Sequence, residues 1–194
     1  MNLLQELKTS LLVTLVLLVV CCGIYPLAIF GAGQLFFPQK ANGSLVLNGD
    51  GKPIASTLLG QTFSADKYFN PRPSAAGNGY DSTSSGGSNY GSTSQALHDA
   101  VKQRIADYRK ANGLPDSQPV PADAVEASGS GLDPHISVRN ALLQLPRVAK
   151  ARGLDREELK KLVDQYTDGR GFGILGEPGV NIVKLNLALD GKYK

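Results

Sequence analysis

From Thr9 to Gln39 the chain carries no charged residue, and within that gap lies LLVTLVLLVVCCGIYPLAIFGAGQLFF, Leu11 to Phe37. A bilayer core about 30 Å thick takes about 20 apolar helical residues, so this run can cross it with length to spare. A single segment that leaves water must satisfy its own backbone, which only a helix does. Pro26 and the glycines at 23, 31 and 33 fall in its second half. Gly31-Ala32-Gly33 lets another helix approach closely, although such small residues also loosen a helix end. Gly23, Pro26, Gly31 and Gly33 are therefore candidate packing positions of a membrane helix.

A cleaved signal peptide has an apolar region of about 7–15 residues; here the run continues past Gly31-Ala32-Gly33 to Phe37. A lipoprotein signal ending at Cys21 wants a small residue before the cysteine, and Val20 is large. The expectation is an uncleaved anchor. Lys8 on one side and Lys40 and Lys52 on the other leave the positive-inside balance nearly even. The short N-terminal tail suits an N-inside signal anchor. The expected division is a cytoplasmic N-terminus (residues 1–10), a transmembrane helix (11–37) and an extracytoplasmic domain (38–194).

The chain's two cysteines, Cys21 and Cys22, both lie in the apolar run, so the outer domain has no disulfide and no cysteine-based metal site. A domain of about 150 residues buries a core without such staples. The 20 basic and 17 acidic residues form no basic cluster, which argues against nucleic acid.

In the outer domain, Ser44–Leu47 reads as a strand between the turn pairs Asn42-Gly43 and Asp50-Gly51, with a second short apolar segment at 54–63. Residues 73–101 lack any basic residue, and their centre, SAAGNGYDSTSSGGSNYGSTS, is small and polar. Composition fits either a linker or a working loop. Leu97, Val101, Ile105 and Tyr108 mark a helix face, started by Ser92 or Ser94 and ended at Asn112-Gly113. Ser137 is a good N-cap for a helix carrying Ala141, Leu142, Leu145, Val148 and Ala149 and stopping at Gly153. Pro146 predicts a kink there, or two short helices. Asp155 and Glu158 start a further helix that buries Leu159, Leu162, Val163 and Tyr166. Val180, Ile182, Leu185, Leu187 and Leu189 read as a terminal strand. The fold class is thus α/β or α+β: one transmembrane helix, then one compact domain with a small sheet and three to four helices.

"EASGSGLDPHIS", residues 126–137, holds hydroxyls, an imidazole and a carboxylate. Ser128 or Ser130 with His135 would make a membrane-tethered extracytoplasmic hydrolase. Gly129-Ser130-Gly131, however, lacks the strand-to-helix context of a nucleophile elbow. His98 and His135, the only histidines, lack zinc-ligand spacing. Asp81, Asp116, Asp123 and Asp133 read as turn residues. Ser85-Gly86-Gly87-Ser88 contains a Ser-Gly-Gly core like part of the signature of ABC transporters, and glycine-rich loops can cradle phosphate. Yet no Walker lysine motif accompanies it. The residues alone indicate an anchored, non-catalytic domain with two Gly/Ser loops.

Three blocks recur in order: Tyr68-Phe69-x-x-Arg72-Pro73-Ser74-Ala75, Ser85-Gly86-Gly87-Ser88-Asn89, and Ala127-Ser128-Gly129-Ser130-Gly131-Leu132-Asp133-Pro134-His135-Ile136-Ser137. Gln144, Arg147-Val148-Ala149-x-Ala151-Arg152-Gly153, Gly176-Glu177-Pro178-x-Val180-Asn181 and Leu185–Asp190 follow. Together they resemble the C subunits of the Kdp high-affinity potassium-transporting ATPases of bacteria and archaea, over essentially the whole chain. Tyr90 departs from the expected aliphatic residue.

The resemblance implies a single-pass accessory subunit of the cell inner membrane, needed for assembly and activity and not an enzyme on its own. It implies as partners a channel-like potassium-translocating subunit, a P-type ATPase subunit and a small membrane peptide, besides membrane lipid. The complex is ATP-binding and uses ATP, magnesium and potassium, and no cofactor is assigned to this chain. In the family this subunit is described as a catalytic chaperone that raises the ATP affinity of the ATPase subunit. The motif residues Tyr68, Phe69, Arg72, Pro73, Ser74, Ser85, Gly86, Gly87, Ser88, Asn89, Ser128, Gly129, Ser130, Gly131, Leu132, Asp133, Pro134, His135, Gln144 and Arg147 become candidate partner contacts.

Overall fold

The computed structural model describes residues 2–193. The chain divides into two compact units, one ending at Leu45 and one beginning at Val46. The first is dominated by a continuous apolar helix, Leu3–Phe36, long enough to cross a membrane. It consists of α1 (Leu3–Val19), a π-helical turn (Val20–Ile24) and α2 (Tyr25–Phe36). The π turn has a local cause. Pro26 has no N–H, and its ring crowds the carbonyl four residues earlier. The chain widens just ahead of it, and Tyr25 N–H bonds the Val20 carbonyl, five residues back. The helix thus begins eight residues before the apolar run and passes through Pro26. The short α3 (Pro38–Ala41) follows, restarted by Pro38 at its first position.

In the second unit β1 (Leu45–Leu47), which starts at the boundary, pairs with β2 (Pro53–Ser56). Asn48 closes the turn between them: its side-chain oxygen accepts from Asp50 N–H at 3.1 Å and Lys52 N–H at 2.8 Å. Of the apolar segment expected at 54–63, only the beginning is strand. The helix expected around residue 100 is α4 (Gln95–Asn112), ended by Gly113 at φ +62°. Ser94 precedes it without a side-chain cap bond.

The central sheet has the order β3-β5-β4, antiparallel throughout, from β3 (His135–Ser137), β4 (Thr167–Asp168) and β5 (Gly179–Asn181). Ser137 ends β3 and caps α5 (Val138–Arg152), its Oγ accepting from Asn140 N–H. α5 runs unbroken through Pro146, so two short helices do not form. Asp155 caps α6 (Arg156–Gln165), accepting from the N–H groups of Glu157 and Glu158.

The terminal strand is a misreading. After β5 the chain turns into α7 (Ile182–Leu189), capped by the Asn181 side chain accepting from Lys184 N–H. Ile182, Val183, Leu185, Asn186 and Leu187 are all buried there. A helix buried nearly all round loses the one-sided stripe that separates helix from strand in sequence. α7 joins two apolar clusters. Ile182 and Leu185 enter the main core of Phe69, Ile136, Val148, Leu159, Val163 and Val180. Val183 and Leu187 pack against Val46 and Ala55.

Candidate functional site

Residues 73–94 are tied to the motif loop that precedes β3. Ser74 Oγ donates to the Gly131 carbonyl at 2.7 Å and accepts from the N–H groups of Tyr80 and Ala76 at 2.9 and 3.2 Å. The Ser130 carbonyl accepts from Gly86 N–H at 2.9 Å and from Ser85 Oγ at 3.0 Å. Gly60 N–H reaches the Leu132 carbonyl at 2.7 Å. Three segments far apart in sequence therefore close on one another through their backbones. Glycine is required at the crossing. Gly131 sits at φ +68°, and a Cβ there would lie 2.7 Å from Ala76 Cβ, Ala76 N and Gly86 O. At Gly87 a Cβ would come within 3.1 Å of the Gly129 carbonyl.

Arg72 locks the edge of this junction. Its guanidinium donates to Asp133 Oδ2 at 2.8 Å, and its own carbonyl accepts from Tyr80 Oη at 2.6 Å. Burial, helped by the charge of Asp133, pushes the Tyr80 phenol well up. A cleft of about 540 Å³ opens here, lined by Leu58, Leu59, Arg72, Ser85, Asp133, Pro134 and the 128–132 loop.

His135 lies between two carboxylates. Its Nε2 is 2.8 Å from Asp168 Oδ2 and its Nδ1 is 3.8 Å from Asp133 Oδ1. Asp133, with Asp168 acting in the same sense, raises the imidazole above its ordinary value against the opposing effect of burial. Burial disfavours the Asp133 charge, but His135 and Arg72 outweigh it and hold the carboxyl below its usual range. Asp168 is lowered in the same way, with burial overcome by His135 and Lys184. Among the described residues no hydrogen bond joins His135 to a serine. The pair that a nucleophile and its base would need is not assembled with Ser128 or Ser130. Ser130 Oγ instead accepts from Leu132 N–H at 3.1 Å.

Below the junction a polar row runs along α5 at positions 137, 140, 144 and 147, one helix face. Asp123 accepts from Ser137 N–H, Ser137 Oγ and Asn140 Nδ2. Asn140 Oδ1 accepts from Tyr108 Oη and Gln144 Nε2, both at 2.8 Å. Gln144 Oε1 accepts from Asn70 N–H at 2.7 Å and Arg147 at 2.9 Å. Arg147 makes four further bonds, to Asn112 Oδ1, Asn70 Oδ1 and the carbonyls of Asp66 and Tyr68. Burial lowers its pKa, and every neighbour that it binds is an acceptor.

The motif residues thus separate into two groups. Arg72, Pro73, Ser74, Ser85, Gly86, Gly87, the 128–134 segment and His135 lie at or beside the junction, with Ser88 and Asn89 continuing the same loop. Asn89 is left-handed at φ +51°. Phe69 and Gln144 belong to the interior, with Tyr68 and Arg147 half-buried beside them. Phe69 is fully buried, and its N–H and carbonyl both pair with the Asn186 amide at 2.9 Å. Tyr68 Oη donates to Asp190 at 2.7 Å. Sequence reasoning missed Asn70 and Asn140; it placed Tyr108 only on a helix face and Asn186 only within the terminal motif. The 140-144-147 spacing was the available signal for Asn140. Asp123, expected only as a turn residue, anchors the polar row. Gly23 and Gly31 have open space where a Cβ would stand, and a Cβ on Gly33 would meet only Ala41, at 3.8 Å.

Residues 7–191 match the family model described as K+-transporting ATPase, c chain. The chain belongs to the KdpC family. It is 53% identical over 186 residues to the potassium-transporting ATPase KdpC subunit of Mycobacterium bovis (strain BCG / Pasteur 1173P2), covering 96% of this chain and 98% of the relative. The subunit of the same name from Koribacter versatilis (strain Ellin345) is 47% identical, covering 96% of this chain and 95% of its own length. That from Geobacter sulfurreducens (strain ATCC 51573 / DSM 12127 / PCA) is also 47% identical, with 96% and 97% covered. As a KdpC-family chain it is a subunit type of the potassium-transporting ATPase. The family match spans the apolar helix, the loop junction and α7 alike.

Proposed function

We propose that this chain is the accessory, non-catalytic subunit of an ATP-driven, high-affinity potassium-uptake complex and is needed for the assembly and activity of that complex. The observation that carries this reading is the extent of the family match, from residue 7 to residue 191. The geometry agrees with it. The motif loops are fixed to one another by backbone hydrogen bonds and glycine crossings, which suits a rigid surface offered to a partner. Among the described residues no hydrogen bond joins Ser128 or Ser130 of the cleft beside them to His135.

In this reading the apolar helix crosses the inner membrane with its N-terminus in the cytoplasm, and residues 38–194 lie outside. The partners are a channel-like potassium-translocating subunit, a P-type ATPase subunit and a small membrane peptide. The outer domain sits near the potassium entrance of the channel-like subunit. From that side it does not touch a cytoplasmic nucleotide domain. Its effect on ATP affinity passes through the membrane helices.

Solubilising the membrane and purifying the tagged chain tests this. A stoichiometric complex with a P-type ATPase is expected. A chain recovered alone, under conditions that keep other membrane complexes intact, contradicts it.

A further inference from the structure

The hairpin between β4 and β5 carries a feature that neither the core nor the loop junction uses. At its tip Phe172, Ile174 and Leu175 are 96%, 77% and 60% exposed, the three highest values for large apolar residues after residue 45 among those described. Three apolar side chains within four residues held this far into water mark a contact surface. The tip has a defined shape. Leu175 N–H and Ile174 N–H bond the Gly171 carbonyl, and Gly171 N–H bonds the Leu175 carbonyl at 2.8 Å. Phe172 is held left-handed at φ +52° at the turn. Arg170 closes the base, donating to both oxygens of Glu177 at 2.9 Å. The tip is therefore preformed, uncharged at its end and neutral at its base, so little ordering entropy opposes its docking.

We infer that this hairpin tip is a docking knob that seats Phe172, flanked by Ile174 and Leu175, in an apolar pocket of another subunit of the transport complex. This rests on the proposed role in that complex. A protein pocket is favoured over lipid on the chemistry. A loop that binds a membrane surface pairs its apolar residues with free cations for the headgroups. The single cation of residues 169–178, Arg170, is already paired with Glu177, and the segment has neither Trp nor Tyr. Aromatic anchors in dry pockets are the usual centres of protein interfaces. A Cβ on Gly169 would meet nothing within 4 Å, and its backbone is not left-handed. Its bareness leaves the hairpin narrow where a partner would close around it.

The test uses the full chain with Cys21→Ser and Cys22→Ser, and with Phe172→Cys carrying an environment-sensitive fluorophore. Emission is read for the chain alone in detergent, for the chain alone in lipid nanodiscs, and for the assembled complex in nanodiscs. A shift to shorter wavelength in the complex alone is expected. The Phe172→Asp/Ile174→Asp variant should lower affinity for the partner subunits at least about tenfold and leave the melting temperature of the isolated chain unchanged. An equal shift for the chain alone in nanodiscs would assign the tip to lipid. A concentration-dependent shift in detergent would assign it to a second copy. No shift in a complex that the unmodified chain still forms would remove the knob while leaving the subunit role standing. If the unmodified chain recovers no partner, both fall.

Discussion

Gly131 lies where three segments cross, at a left-handed φ with backbone and side-chain atoms 2.7 Å from any added Cβ. Gly131→Ala should destabilise the domain by about 2–4 kcal/mol, from left-handed strain plus overpacking. Chemical denaturation of the detergent-solubilised chain measures this. Arg147→Met leaves five acceptors without their donor and should cost about 2–4 kcal/mol. Arg147→Lys should recover only part of that loss, because one ammonium cannot span the same acceptors. His135 gives a pH signature. Its folded pKa is raised, so its pairing stabilises fully below the unfolded value of about 6.5 and is lost as pH rises through the folded value. Asp133 and Asp168 are depressed; their contribution is present above about pH 4 and lost on acidification. Melting temperature against pH should fall on the alkaline side, and His135→Asn should flatten that limb. The motif loop was legible as a shaped turn from its glycines and Asp133-Pro134. The carboxylate Asp168, 33 residues on, was not, because only the pairing of β3 and β4 with β5 brings it to His135.

The elements differ in how openly the sequence declared them. α4, α5 and α6 carry one-sided stripes, α5 and α6 have side-chain caps, and α4 and α5 end at glycines, and their positions follow from these. α7 has Asn181 as its cap, but apolar residues cover almost all of it, so alternation and helix periodicity could not be told apart. Pro146 suggested a break that the packed face of α5 does not permit, since Ala141, Leu145, Val148 and Ala149 all sit in the core. The long apolar helix absorbs its own proline through the π turn at Val20–Ile24. Its glycines leave open surface on which another helix can pack. Gly31→Leu should lower the yield of assembled complex while membrane insertion is unchanged. Gly31→Asp should lower both, because a carboxylate inside the apolar span opposes insertion, by about 3 kcal/mol at its centre and less toward its end, where Gly31 lies. Quantifying the chain in the membrane fraction against that recovered with its partners separates the two effects.

At the scale of the whole molecule, an apolar helix joins a domain whose signature residues are spent on holding loops and interior polar groups in place. That arrangement suits a subunit whose task is to be a fixed shape. The family was legible because its motifs are glycine crossings and buried amides, which tolerate little substitution. The exposed tip at Phe172 was not, since its exposure depends on how the hairpin between β4 and β5 folds. Protease added outside sealed cells should cleave within residues 38–194, and cleavage only after lysis would reverse the proposed topology. The most direct measurement is potassium-dependent ATP hydrolysis by the complex purified with and without this chain. The account predicts that activity is lost without the chain and returns when the full chain is supplied. Full potassium-dependent activity in a complex lacking the chain would contradict it.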